Sequence, residues 1–496
     1  MKAAWPDLVF SGEASPSVLS RAVARGTLQR IVRGVYSGAV EAAPAEVVRR
    51  HLWQIVGHVL PGAVVVDRSA RRAGPVDGRL TVDHARTRPL SLPGLTVLPR
   101  RGPGPVLGDM EMPDGLWIAS TARQLLDDLD RSRGWRLRTL TDAEVEEWID
   151  TLLNERGEPG LNRLRDQARS LAPALGRQQE LRRLEEMIRA ALATGSAAGL
   201  RSERLRARAA GQPFDHRRIA AFEALAADLA QRAPDVVPAL PVDDSRRRLL
   251  PFYEAYFSNY IEGTEFTLDE AASIVFEAVV PADRPVDAHD ILGTYEIVSD
   301  PDEMRRVPRS PDDFLDLLRS RHARLMAERP NVLPGQFKTQ ANRAGGTEFV
   351  RPELVLGTLQ RGFLIGDGLR DPFARALYVM FVTTEVHPFA DGNGRVARIM
   401  MNAELVAAGE VRIIIPTVYR SNYLSSLRGA THNGSYGALS AVLAFARRFT
   451  AQVDFSTRER AEADLVRTNA LRDATEAELA GIRLVLPRSR EAGGHE

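Results

Sequence analysis

Two stretches of this chain carry the clearest hydrophobic pattern. The apolar run Ala374–Val386 (ARALYVMFVTTEV) and the helically spaced Val396–Ala408 (VARIMMNAELVAA) predict two core helices joined by a tight polar loop. Upstream, Glu180–Leu192 (ELRRLEEMIRAAL) has helical spacing, and residues 110–250 read as mostly helical. Phe214-Asp215-His216-Arg217-Arg218 begins a further helix, with His216 as a surface or capping residue. The Pro-rich Ala233–Pro241 (APDVVPALP) is the expected linker. Near the start, Ser15–Arg25 (SPSVLSRAVAR) predicts a short helix with Ser15 as N-cap, Pro16 at its first position and Gly26 as its stop. Leu28–Ile31 and Gly34–Tyr36 then read as short strands turning at Arg33-Gly34. No internal repeat is evident.

The loop between the first two helices holds most of the chemistry. Residues 387–398 read His-Pro-Phe-Ala-Asp-Gly-Asn-Gly-Arg-Val-Ala-Arg. A helix opening directly under a glycine loop presents unpaired N–H groups and the positive end of its dipole, which suits an anion. Gly392 and Gly394 let the backbone approach phosphate oxygens, and Arg395 and Arg398 share a helical face. His387 is a base by type, and Asp391 is a hard-metal ligand by type. The pattern predicts a nucleotide site.

These residues match the signature His-x-Phe-x-(Asp/Glu)-Gly-Asn-Gly-Arg-x-x-Arg at every specified position, and the segment thereby resembles the Fic domains. Fic proteins mostly transfer AMP from ATP to a hydroxyl of a target protein. The resemblance implies that His387 takes the proton from a Ser, Thr or Tyr hydroxyl and that Asp391 holds Mg²⁺ against the phosphates. It further implies that the loop amides of Gly392 to Gly394 and the Asn393 side chain cradle those phosphates. Arg395 would lie along them, Arg398 would reach the γ-phosphate, and Phe389 would anchor the loop inward. Relatives that act as kinases carry Lys at the position of Gly394, so glycine here favours nucleotidyl transfer.

Two more stretches resemble parts of the family. Ser258-Asn259-Tyr260-Ile261-Glu262-Gly263 matches the inhibitory pattern (Ser/Thr)-x-x-x-Glu-(Gly/Asn). Ser258 and Glu262 share a helical face, Gly263 ends the helix, and Glu262 would pair with Arg398 where the γ-phosphate should dock. In some relatives that Glu also supports removal of AMP, so the direction of reaction stays open. Pro334–Lys338 with Gly345, Gly346, Thr347, Glu348, Phe349 and Val350 resembles the β-hairpin flap that pairs with an extended target segment. Downstream, Ile413–Pro416 and Tyr419–Tyr423 resemble the closing helices, where Asn422 and Tyr423 would reach the adenine, with core packing the other role for Tyr423.

Composition refines this picture. The chain of 496 residues is long enough for two or three domains, and its 44% hydrophobic residues suffice for real cores. Without cysteine there are no disulfides, thiolate metal sites or cysteine nucleophiles. No apolar run is long enough to span a membrane and no signal-peptide core is present at the start, which predicts a cytoplasmic protein. The net charge is +1, but residues 1–109 hold fifteen Lys or Arg against eight Asp or Glu, so the N-terminal part is basic. There the succession VLSRAVARGTLQRIVRGVYS resembles the winged-helix domain of AbiEi-like antitoxins and predicted regulators, with looser similarity through Val65–Ala73 and Ile118–Asp127. Ser17, Ser20 and Arg21 would be exposed on a recognition helix, although few residues precede Ser15.

The expected architecture is mainly α: an all-α Fic core with a β-hairpin flap behind a small α+β winged-helix-like domain. The expected divisions are residues 1–130 for that regulator-like domain, 131–240 for a helical connection, 241–455 for the Fic domain with its inhibitory helix, and 456–496 for a charged tail. The expected activity is AMP transfer from ATP with Mg²⁺, restrained by Glu262; de-AMPylation and a nucleotide-sensing, DNA-binding regulator are the alternatives. Expected partners are a hydroxyl-bearing target protein, the chain itself as acceptor or homodimer, and DNA at the N-terminal domain, with no membrane.

Overall fold

The computed structural model describes residues 5–131, 138–241 and 243–487. The chain divides into two compact units, Met1–Gly211 and Gln212–Glu496. Among the described residues no helix is long and apolar enough to cross a membrane.

The first unit opens on the expected helix, Pro16–Ala24, with Pro at its start and Ser17, Ser20 and Arg21 exposed. Strands Gln29–Val32 and Val35–Ser37 pair antiparallel, and Val9–Phe10 joins them as the third strand. A larger mixed sheet of six strands follows, which the hydrophobic pattern does not announce. Four of its strands have three residues or fewer, Val64–Val65 the shortest, and are too short to show alternation, while Leu95–Arg100 is longer and alternates in burial. Here the two loosely similar stretches come together, because Val64–Val65 runs parallel to Trp117–Ile118. The helical remainder spans Asp142–Leu175, broken at Gly157 (φ 66°, ψ 177°), then Gln178–Ala191 and Glu203–Ala209.

Strand ends of that sheet deliver a buried charge cluster. Asp83 and Arg100 are cross-strand partners, and the Arg100 guanidinium pairs with Asp83 at 2.7 Å and Asp127 at 2.8 Å. The fully buried Arg123 donates to Gly104 O at 2.9 Å and to Asp109 Oδ2 at 2.5 Å. Asp67 is buried among them, and neither of its oxygens has a hydrogen-bond partner among the described residues. Burial pushes its carboxyl up to about 8, against the pull of Arg100. A raised carboxyl pKa means that the folded chain keeps a proton the unfolded chain releases above pH 3.8. That stability is complete below the unfolded value and is lost as pH rises through about 8. Asp67→Asn, which cannot ionise, should therefore raise the thermal midpoint at pH 9 by roughly a few degrees over wild type. Scanning fluorimetry between pH 6 and 9 tests this: equal midpoints at pH 9 would show that Asp67 is ionised and paired.

The second unit is helical. His216–Ala230, capped by Asp215, packs on Pro352–Gly366 and Pro372–Val386. Ala233–Pro241, the expected linker, lies inside this unit, where Ala239 N–H donates to Gly409 O (2.9 Å) and Val411 N–H to Val237 O (3.0 Å). Asp244–Ile261 begins at the Asp243 cap and stops where Gly263 takes φ 93°, leaving Glu262 as its C-cap. Pro285–Ser299 and Pro311–Leu325 follow, then the hairpin Arg343–Ala344 and Thr347–Glu348 with Gly345-Gly346 as its turn. The two pattern-defined helices are Pro372–Val386 and Asn393–Ala407, and they pack directly on one another. Ile413–Pro416 is a buried irregular stretch before Arg420–Asn433 and Tyr436–Gln452. Of the charged C-terminal stretch, Arg458–Arg467 and Ala474–Leu479 are helices whose Ala461, Leu465 and Ala477 enter the core. Residues 491–496 lie outside the described residues.

Candidate active site

The glycine loop is held by side chains within and beneath it. The Asn393 carbonyl accepts from Phe389 N–H at 2.8 Å, and its amide donates to Phe389 O at 2.9 Å. Both ends of Asn393 are thus engaged by the loop backbone and not aimed outward. Phe389 is fully buried and stacks on His322, 3.8 Å between ring centres. Gly335 N–H donates to His322 Nδ1 at 2.9 Å, which fixes the proton on Nε2, and that proton goes to Asp391 O at 3.1 Å. Gly392 caps the Asn393–Ala407 helix at φ 73°, where a Cβ would press on Met326.

His387 caps the preceding helix in the left-handed region, at φ 51°. Its Nδ1 meets Thr384 O at 3.2 Å; a carbonyl can only accept, so Nδ1 carries the proton and Nε2 is left basic. Phe349 of the hairpin lies flat on the imidazole at 3.7 Å and 4°. Burial pushes the His387 pKa down to about 4, the Thr384 carbonyl and the carboxylates of Glu262 and Asp391 resisting and Lys338 assisting. The ring is neutral at pH 7, as a base must be.

The two arginines have different partners. Arg395 pairs with Asp290 at 2.7 Å and reaches Asn259 Oδ1 at 3.3 Å, so it is pinned to the helices Pro285–Ser299 and Asp244–Ile261. Arg398 donates to Ser258 Oγ (3.0 Å), Ser258 O (2.8 Å) and Glu262 Oε1 (2.7 Å). The Glu262 carboxylate stands over Gly394, where a Cβ would overlap Oε1. Its surroundings disfavour the charge, but the Arg398 guanidinium outweighs them, with Arg395 and His387, and holds the carboxyl below the usual range. The Glu262 side chain keeps 33% of its exposure, so it faces the cleft and not the core.

Asp391 is half exposed, with Oδ1 accepting from Gly392 N–H at 2.7 Å and Oδ2 4.0 Å from Arg395. One half-exposed carboxylate at the start of the Asn393–Ala407 helix suits Mg²⁺, which is held through one or two carboxylates and substrate oxygens. Among the described residues no cluster of three or more metal-binding side chains exists, so such an ion would depend on the phosphates. Of the hairpin residues, Gly346 and Glu348 are exposed and Thr347 is half-buried, while Val350 is buried in the core. Asn422 is exposed, and Tyr423 is buried with its hydroxyl beside Met380 Sδ (3.5 Å).

Several residues of the site escape a motif reading. Asp290, Asn259 and His322 act on the loop from 60 or more residues away, and no local spacing links them to it. Lys338 ends the first stretch that resembles the flap, a resemblance that gives it no role of its own. Its ammonium donates to Asn342 Oδ1 (2.6 Å) and Val386 O (3.2 Å), tying the hairpin root to the helix end before His387. Burial lowers its pKa to about 7.

Residues 313–405 match the model of the Fic/DOC family. Over 227 residues the chain is 26% identical to the protein adenylyltransferase Fic of Drosophila willistoni, 44% of this chain and 43% of that protein. Over 196 residues it is 28% identical to the protein adenylyltransferase fic-1 of Caenorhabditis elegans, 36% of each chain. The chain thus spans less than half the length of these curated relatives. Among solved structures, Fic-1 (aa134–508) from C. elegans aligns over 69% of this chain and 99% of its own, at 19% identity and a TM-score of 0.35. A Fic domain containing signaling protein from Bacteroides thetaiotaomicron VPI-5482 aligns over 50% and 97%, at 17% identity and a TM-score of 0.35.

His322 gives the site a measurable pH signature. Burial pushes its imidazole from 6.5 down to about 4, so between these values the unfolded chain binds a proton that the folded chain refuses. Stability is complete above pH 6.5 and falls as pH drops towards 4, by about 3 kcal/mol over the whole window. His322→Gln should lower stability at pH 7 yet lose less between pH 7 and 5 than wild type, as read by urea unfolding. An unchanged pH slope would show that His322 is protonated in the folded protein.

Proposed function

We propose that this protein transfers AMP from ATP to a hydroxyl side chain of a protein and that Glu262 restrains the transfer. The observation that carries the reading is the Glu262–Arg398 pair at 2.7 Å, set over Gly394 beside a histidine whose Nε2 is free. A carboxylate there takes the arginine and the space that a terminal phosphate would need.

In the reaction, the acceptor hydroxyl approaches His387 Nε2, which removes its proton as the oxygen attacks the α-phosphorus. A new phosphorus–oxygen bond forms, the bond between the α-phosphorus and the bridging oxygen breaks, and pyrophosphate leaves with the electron pair. His387 then gives up its proton to solvent. The N–H groups at the start of the Asn393–Ala407 helix and the Arg398 guanidinium stabilise the phosphate charge. Asp391 would hold a Mg²⁺ ion, which would supply further charge neutralisation at the phosphates. The neutral state of His387 favours the base role near pH 7.

Removal of AMP is the second reading. The exposed third of the Glu262 side chain, at the edge of the same cleft, suits a carboxylate that orients water. Incubation of the purified protein with an AMP-modified copy of itself separates the two directions, since only the second releases AMP.

Replacing Glu262 with Gly removes one charge-assisted hydrogen bond, worth about 1.5–3 kcal/mol. Self-modification with Mg·ATP should then rise by roughly tenfold to a hundredfold, measured by intact-protein mass spectrometry. Arg398→Ala in the same chain should abolish the gain, because both changes act through one contact. A Glu262→Gly protein no faster than wild type would remove the restraint from the reading. His387→Ala should stop transfer while ATP binding, measured by calorimetry, stays close to wild type; collapse of ATP affinity would mark His387 as structural.

A further inference from the structure

The hairpin over His387 is too short to hold itself in place. Each of its strands, Arg343–Ala344 and Thr347–Glu348, has two residues, far below the size that is stable alone. At its base Phe349 N–H donates to Asn342 O at 3.2 Å. In an antiparallel pair, bonded and non-bonded positions alternate, so the carbonyl of Glu348 points away from the neighbouring strand. That carbonyl accepts from Arg218 Nη2 at 2.8 Å.

Arg218 belongs to the His216–Ala230 helix, outside the matched residues 313–405. Its Nη1 pairs closely with Glu385 Oε2, near the end of the helix that delivers His387. Glu385 is buried, and its other oxygen accepts from Thr431 Oγ1 at 2.6 Å. The next residue, His432, meets Thr347 Oγ1 at 2.9 Å. Two successive hairpin residues, Thr347 and Glu348, are therefore tied to a connected set of side chains that ends two residues before the base. The third residue in that line is Phe349, whose ring covers the imidazole.

We propose that Arg218 is a positioning residue of the acceptor site: it sets the height of the hairpin, and through Phe349 it sets the cover on His387. The inference rests on the transferase reading for its functional meaning, though the clamp itself does not. A guanidinium suits the task because its planar fork serves the Glu385 carboxylate and the Glu348 carbonyl together. Lysine keeps the charge but cannot present that fork.

Hydrogen exchange of the Thr347–Val350 amides tests the clamp without any assay of activity. Two variants are used: Arg218→Lys, which retains a cation beside Glu385, and the double change Arg218→Met with Glu385→Gln, which leaves no bare buried carboxylate. Exchange at these amides should rise by roughly tenfold to a hundredfold in the double variant, and by less in Arg218→Lys, as expected for loss of a charge-assisted hydrogen bond. In a Glu262→Gly background, self-modification should slow while calorimetric ATP affinity stays unchanged. Unaltered exchange in both variants overturns the clamp. Faster exchange, with no AMP transfer by the parent Glu262→Gly protein, upholds the clamp and removes the transferase reading.

Discussion

The site depends on the pair of hydrogen bonds between the Asn393 side chain and the Phe389 backbone. They turn a glycine-containing segment that would sample many conformations into a rigid bridge between two buried helices. With that bridge fixed, His387 can occupy a left-handed conformation, its Nδ1 faces Thr384 O, and its Nε2 is left basic. The same bridge sets the first turn of the next helix directly after the loop. Phe389 transmits the constraint into the core, where His322 stacks on it. An asparagine that looks in sequence like a phosphate ligand thus acts through the backbone it staples.

The burial around the loop has an electrostatic result. Desolvation favours neutral imidazole at His387 and His322 and keeps both uncharged at neutral pH. Close by, Glu262 stays charged, because Arg398 supplies more than its surroundings remove. The neutral His387 and the charged Glu262 coexist because the Arg398 guanidinium lies beside the carboxylate.

Much of the candidate site is legible from the sequence because its chemistry is local. His387 to Arg398 fall within one loop and one helical turn, and Ser258 and Glu262 fall on one helical face. The helices on either side declare themselves by apolar spacing. Arg395 shows the limit: its spacing from Arg398 suggests a common phosphate, yet Asp290, more than a hundred residues earlier, holds it at 2.7 Å. Arg218 and Glu385 are likewise joined only by the fold. In the first unit the six-stranded sheet is hidden because four of its strands have three residues or fewer, although Leu95–Arg100 does alternate in burial, and its buried arginines and aspartates resemble surface charge in the sequence.

The near absence of lysine has a use of its own. Lys2 and Lys338 are the only lysines in the chain, and the second is buried with its pKa lowered to about 7. At neutral pH a large share of that amine is unprotonated, hence nucleophilic, yet it is shut beneath the hairpin by Asn342 and Val386. An acylating reagent therefore meets one interior amine whose reactivity is governed by access and not by charge. The molecule carries a chemical reporter for the opening of its own lid, on a background almost free of competing amines.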